Sequence, residues 1–208
     1  MNAGRCQKLN GKCALLAALV AVVVIPRTVE AQTGLGKFLA GAAVGLVAHE
    51  SAHLLLDAVF DAGPGLKKVS AGPIPFFAIT HHPVSPVREF AISSAGFWVQ
   101  HATSELILTH RPELRDQSAP FMKGVLAFNV LTSAGYSIAA FAQHGPDERD
   151  TRGMASSARL HEGWIGATIL APALLDAARY YRRDVRWLKW ASRATKVGGA
   201  LLIIRAAR

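Results

Sequence analysis

Three stretches of this chain are long, apolar and nearly free of charge, and that limits the folds open to it. Gly124 to Gln143 holds no charged residue, Phe90 to Thr109 only Glu105, and Phe38 to Phe60 only Glu50 and Asp57. Each is long enough to form a helix across a bilayer core of about 30 Å. Ala, Gly and Ser recur in them, as in Ala40-Gly41-Ala42-Ala43 and Ser93-Ser94-Ala95-Gly96. Small residues let helices approach closely in lipid, where apolar burial gives them little reason to associate. A fourth, weaker block runs from Gly163 to Leu175 and continues through Asp176, Ala177 and Ala178. The expected fold is mainly α, a polytopic membrane helix bundle with about four spans. The competing expectation is a soluble bundle in which the same blocks are core helices.

The texture changes between the first two blocks. Gly63-Pro64-Gly65 and Gly72-Pro73 punctuate the short β-branched and aromatic stretches of Leu66 to Thr80, which predicts a short β hairpin. Residues 110–119 and 143–160 read as loops, the second the most charged part of the domain. Before the blocks, Arg5, Lys8 and Lys12 precede the run Ala14 to Ile25 and the small-residue ending Val29-Glu30-Ala31. Residues 1–31 therefore read as a signal peptide or signal anchor. Residues 32–178 form the expected membrane-embedded domain, and 179–208 a basic amphipathic C-terminal helix with Trp187 and Trp190 suited to an interface. With the N-terminus inside, four spans leave the basic run Arg179 to Arg193 outside, against the positive-inside rule. One block is then re-entrant, or the fourth does not span.

The net charge of +9 gathers at the two ends, beside apolar segments and without any zinc-finger, RNA-binding or basic-heptad pattern. Membrane lipid, not nucleic acid, is the expected partner. Cys6 and Cys13 are the only cysteines and precede every block, so no disulfide framework is expected.

The first block carries the chemistry. Ala48-His49-Glu50-Ser51-Ala52-His53 is an HExxH pattern in a helical stretch. His49 and His53 stand one turn apart on one face, where their imidazoles can share a metal. Glu50 is placed as the catalytic base, taking a proton from a water that the metal acidifies. Two imidazoles and a carboxylate in the middle of an apolar segment are costly to bury without such a role. Zinc is the expected metal. A catalytic zinc site needs a third protein ligand, and Asp57, His101, Glu105, Asp147, Asp150 and His161 are the candidates on residue type alone.

These features resemble the site-2 protease family of intramembrane zinc metalloproteases. HExxH lies in the first apolar segment after the N-terminal region, and a Gly/Pro-rich, strand-like stretch follows it. Ser93-Ser94-Ala95-Gly96 opens the second block where the family carries Ala-Gly-Pro-x-x-Asn. Phe128-Asn129-Val130-Leu131 in the third block is similar to the family's approach to its third ligand. Phe97 stands at the family's proline, and the family's Leu-Asp-Gly is not present. The resemblance covers about residues 38–155. It implies zinc-dependent hydrolysis of a peptide or membrane-protein substrate by an integral membrane protein, in a bacterial cell one of the inner membrane. It favours Asp150 as third ligand, with Asp147 and Glu105 still open. Other expectations are a non-catalytic membrane module of the same fold binding a partner through Leu66 to Thr80, and a secreted soluble HExxH enzyme.

Overall fold

A computed structural model of the chain describes residues 34–71 and 74–206. The signal segment expected over residues 1–31 lies outside them. Among the described residues there are six helices and one two-stranded sheet. In chain order these are α1 (Gly34–Val59), β1 (Gly65–Ala71), β2 (Ile74–Thr80), α2 (Pro86–His110), α3 (Pro120–Ala142), α4 (Asp150–Ala158), α5 (Glu162–Tyr181) and α6 (Arg186–Ala206). The strands form an antiparallel hairpin between the first two helices, with Gly65 opposite Thr80 and Lys67 opposite Ala78.

The helix boundaries follow local chemistry. Pro86 and Pro120 each occupy the first turn of a helix, where a missing N–H costs nothing. Helices α3 and α4 end on Gln143 and Arg159, both in the left-handed conformation that closes a helix. The nine-residue α4 corrects the expectation of a charged loop over 143–160. It is too short and too rich in Ser and Gly to show apolar periodicity, yet it buries Thr151, Met154 and Ala155 on one face.

Helix α1 packs on α2 and α3, α3 on α5, and α4 on α2, while α6 lies against α5. Between α1 and α3 the contact is backbone on backbone. A Cβ at Gly41 would lie 2.0 Å from the Phe121 carbonyl oxygen, and one at Gly124 would lie 1.9 Å from that of Phe38. Two apolar clusters flank this contact. Phe90, Phe97, Met154, Ala155, Ile165 and Ile169 join α2, α4 and α5, and Ile107, Leu108, Leu114, Val125 and Leu126 join α2 to α3.

On α1 and α3 many small and polar residues face the bundle and many large apolar ones face out. The buried stripe of α1 is Gly41, Gly45, His49, Ala52, His53 and Asp57, and that of α3 includes Asn129, Ser133 and Ser137. Facing outward are Leu35, Leu39, Leu55 and Val59 on α1 and Leu131, Ile138 and Phe141 on α3. Helix α6 follows the same rule. Ser192 and Lys196 turn inward to Asp176, while Trp187, Trp190, Val197 and Leu201 are exposed. By length and composition, α1 and α3 can cross a membrane. Helix α2 carries Gln100, His101, Ser104 and Glu105 in its centre, and α5 carries Pro172 and Asp176. Among the described residues neither is as apolar, so two helices are long and apolar enough to span where about four were expected.

Candidate metal centre

The centre begins with helical spacing. His49 and His53 project from consecutive turns of α1, and both are buried, 1% and 5% exposed. Opposite them, the first residue of α4 supplies Asp150, 101 positions from His49. The three donor atoms form a near-equilateral triangle. His49 Nε2 lies 3.3 Å from His53 Nε2 and 3.3 Å from Asp150 Oδ2, and His53 Nε2 lies 3.5 Å from Asp150 Oδ2. Two ligands held about 2.05 Å from a tetrahedral zinc stand about 3.3 Å apart. The triangle has the size of one face of such a tetrahedron, and the group could hold a metal ion.

Hydrogen bonding fixes which atoms face inward. His53 Nδ1 lies 2.7 Å from the carbonyl oxygen of Ile92 on α2. A carbonyl only accepts, so Nδ1 donates, and Nε2 of the neutral ring turns its lone pair to the centre. His49 has no such partner: its Nδ1 is buried without a hydrogen bond among the described residues. Packing orients this ring instead. Phe97 stands edge-on at 5.4 Å between centroids, and a Cβ on Gly96 would fall 2.3 Å from His49 Cε1. Burial on its own would raise the Asp150 carboxyl, but the His53 and His49 imidazoles, when protonated toward it, outweigh burial and hold Asp150 well below the usual carboxylate range. Three electron-pair donors thus converge where only protons or a cation can satisfy them.

The residues on either side of Asp150 are pinned. Arg149 donates to both carboxylate oxygens of Glu162, at 2.7 Å and 2.6 Å, and Thr151 Oγ1 donates to Glu162 Oε1 at 2.7 Å. Glu162 opens α5, so one buried carboxylate ties the start of α4 to the start of α5 and leaves Asp150 little freedom. Nothing in the sequence marks this clamp, because Arg149 and Glu162 meet only through the fold.

In front of the centre is a cavity of about 650 Å³ bordered by Glu50, His53, Tyr136 and Asp150, by Phe77 to His81 of the hairpin strand and its end, and by Pro146 to Glu148. His49 lies behind, outside this lining. Tyr136 on α3 was not expected from the sequence. Its ring stacks edge-on with Phe97 at 5.2 Å between centroids, and a lone tyrosine in an apolar helix gives no signal of that position.

The other candidates for the third ligand go elsewhere. Glu105 accepts from Arg179 at 2.5 Å, Arg193 at 2.8 Å and Lys196 at 2.9 Å, holding α6 to the bundle. Asp147 is exposed and paired with Arg152 at the cavity mouth. His161 caps α5, accepting from the Gly163 N–H at 3.1 Å. His101 is buried against Trp98, and Asp57 is buried at the end of α1 with neither oxygen hydrogen-bonded among the described residues. Asn129, placed by the resemblance on the approach to the third ligand, instead joins α3 to α2 by donating to the Gln100 carbonyl and to Ser104 Oγ. No family model, no curated protein and no solved structure matches this chain.

Proposed function

We propose that the chain is a membrane-embedded zinc metallopeptidase that hydrolyses peptide bonds. The carrying observation is the triangle of His49 Nε2, His53 Nε2 and Asp150 Oδ2, 3.3 to 3.5 Å on a side, two of whose members border a cavity shared with Glu50. The donor set of two imidazoles and a carboxylate is one that zinc takes in catalytic sites, with a position left open. The ring-tight fit of Gly96 against His49 suits a side chain held in place for ligation.

His49, His53 and Asp150 would hold the zinc, which would supply Lewis acidity toward a water and a peptide carbonyl. Glu50, on the cavity wall next to His49, accepts the proton that water loses as its oxygen bonds to the carbonyl carbon. It returns that proton to the amide nitrogen as the C–N bond breaks, so one carboxylate and one amine leave. Tyr136 borders the same space and has a hydroxyl to offer a polarised carbonyl. Phe77 to Thr80 of the second strand form another wall, and an extended peptide laid along it would meet the centre side-on.

The membrane setting is supported by the outward faces of α1 and α3. Only 28% and 33% of their most apolar stretches are buried by the rest of the chain, whereas a core helix of a soluble protein is mostly covered. On these two helices, large apolar residues outside with histidines and serines inside suit lipid as the solvent. The test is hydrolysis of a fluorogenic peptide library by detergent-purified protein. Glu50→Gln is expected to retain zinc and lose at least about a hundredfold in rate. Equal rates in wild type and Glu50→Gln would remove the peptidase reading and leave a non-catalytic metal module.

A further inference from the structure

The cavity has a second charged feature that the hydrolytic centre does not use. Besides Glu50 and Asp150 it is bordered by three carboxylates, Glu89, Asp147 and Glu148. Asp147 is paired with Arg152, and Glu148 with Lys67 across the cavity mouth. Glu89 has no lysine or arginine partner among the described residues. Its Oε1 accepts from Ser93 Oγ at 2.9 Å, and its Oε2 lies 3.4 Å from His81 Nε2.

That last contact is complete when His81 is protonated and lacks a donor when it is neutral. His81 Nδ1 lies 2.9 Å from the carbonyl oxygen of His82, so the ring donates there. In the neutral imidazole Nε2 is then a bare acceptor facing a carboxylate oxygen, another acceptor. Two acceptors at that distance on a cavity wall are satisfied together by one group with several donors. A lysine ammonium, with three N–H bonds, or an arginine guanidinium has that property.

The position is fixed and near the reaction. A Cβ on Gly153 would lie 2.9 Å from Glu89 Oε1 and 2.2 Å from Ser93 Oγ, so α4, which begins with Asp150, packs directly on the pair. Glu89 also precedes by about 5 Å of helix rise the Ile92 carbonyl that accepts from His53. Among the described residues, the one basic side chain other than histidine bordering the cavity, Arg149, is engaged by Glu162. A chain of net charge +9 thus presents an acceptor-rich cavity.

We infer that the substrate carries a basic side chain close to the scissile bond, and that Glu89 and His81 receive its cationic head. The assignment rests on the peptidase reading and names the specificity of the same cavity. The test uses the full-length Glu50→Gln protein in detergent and short fluorescent alanine-based peptides in which lysine, norleucine or glutamate is scanned through every position. Norleucine keeps the stem of lysine and lacks its ammonium. At one position or an adjacent pair, lysine is expected to bind about tenfold more tightly than norleucine. That ratio is expected to collapse in Glu89→Gln, and glutamate is expected to become the preferred residue in Glu89→Lys. The comparison of peptides on unaltered Glu89 needs no further variant to fold. Lysine and norleucine peptides binding within twofold of one another at every position would overturn the inference and leave the peptidase reading standing. Selective lysine binding by a wild-type protein that cleaves no peptide would overturn the peptidase reading and leave the cation site. No binding by any peptide would overturn both.

Discussion

A methyl group at position 96 would lie 2.3 Å from His49 Cε1 and 2.6 Å from its Nε2, so a single carbon decides whether that ring keeps its place. Gly96→Ala is expected to weaken zinc binding by about 10- to 100-fold, the usual cost of disturbing what orients a ligand. A chelator competition titration reads this directly, and unchanged affinity would mean that His49 is not a ligand. The two histidines were legible in the sequence because helical spacing alone puts them on one face. The third member was not legible from the residues, since six acids and histidines shared the right chemistry and only the packing of α4 on α2 brings Asp150 to both imidazoles. Gly96 was visible only as one small residue among several, and Tyr136 not at all.

Helix α4 owes its position to the Arg149–Glu162 pair and to Thr151. Glu162→Ala leaves the buried Arg149 unpaired, and such losses cost about 3–5 kcal/mol. A lower melting temperature together with weaker zinc binding is expected, while a change in neither would separate the clamp from the centre. The pair also sets a pH dependence. Burial would raise the Glu162 carboxyl, but hydrogen bonds from Arg149 and Thr151 outweigh it and hold it below its ordinary value of 4.5. A depressed folded-state value contributes stability that is complete above 4.5 and is lost as pH falls through that lower value. Acid unfolding curves of wild type and Glu162→Gln are therefore expected to converge at low pH, and parallel curves throughout would contradict the assignment. At the glycine contact of α1 and α3, Gly41→Val and Gly124→Val each press a side chain into a facing backbone carbonyl. Both are expected to lower the yield of folded, detergent-soluble protein, measured by size-exclusion chromatography, whereas the exposed Leu39→Val is expected to leave it unchanged. The five long helices and the hairpin were legible because each follows an apolar or Gly/Pro-bounded block. Short, polar α4 was read as a loop, because its helicity depends on burying Met154 and Ala155 rather than on any pattern of its own.

Across the whole molecule, buried histidine, serine and paired charge lie beside two apolar clusters, while many leucines and three tryptophans, Trp164, Trp187 and Trp190, face outward. The expected positive-inside conflict loses part of its force here. Arg179 and Arg193 from the basic C-terminal run, with Lys196 just beyond it, are engaged internally by Glu105, although Arg182, Arg183, Arg186 and Lys189 stay exposed. Helices α1 and α4 meet through His49, His53 and Asp150, so a metal held there adds a link between them. Removing zinc with a chelator is expected to lower the melting temperature by about 10 °C, as for a ligand held well above its dissociation constant. The central claim is that two imidazoles and one carboxylate, meeting inside this bundle, hold one metal. Its most direct test is the zinc content of detergent-purified protein, by mass spectrometry of the metal, in wild type, His53→Ala, Asp150→Ala and Glu50→Gln. About one zinc per chain in wild type and Glu50→Gln, with loss in the other two, is the expected result. Zinc absent from the wild type, or bound equally by all four proteins, would contradict it.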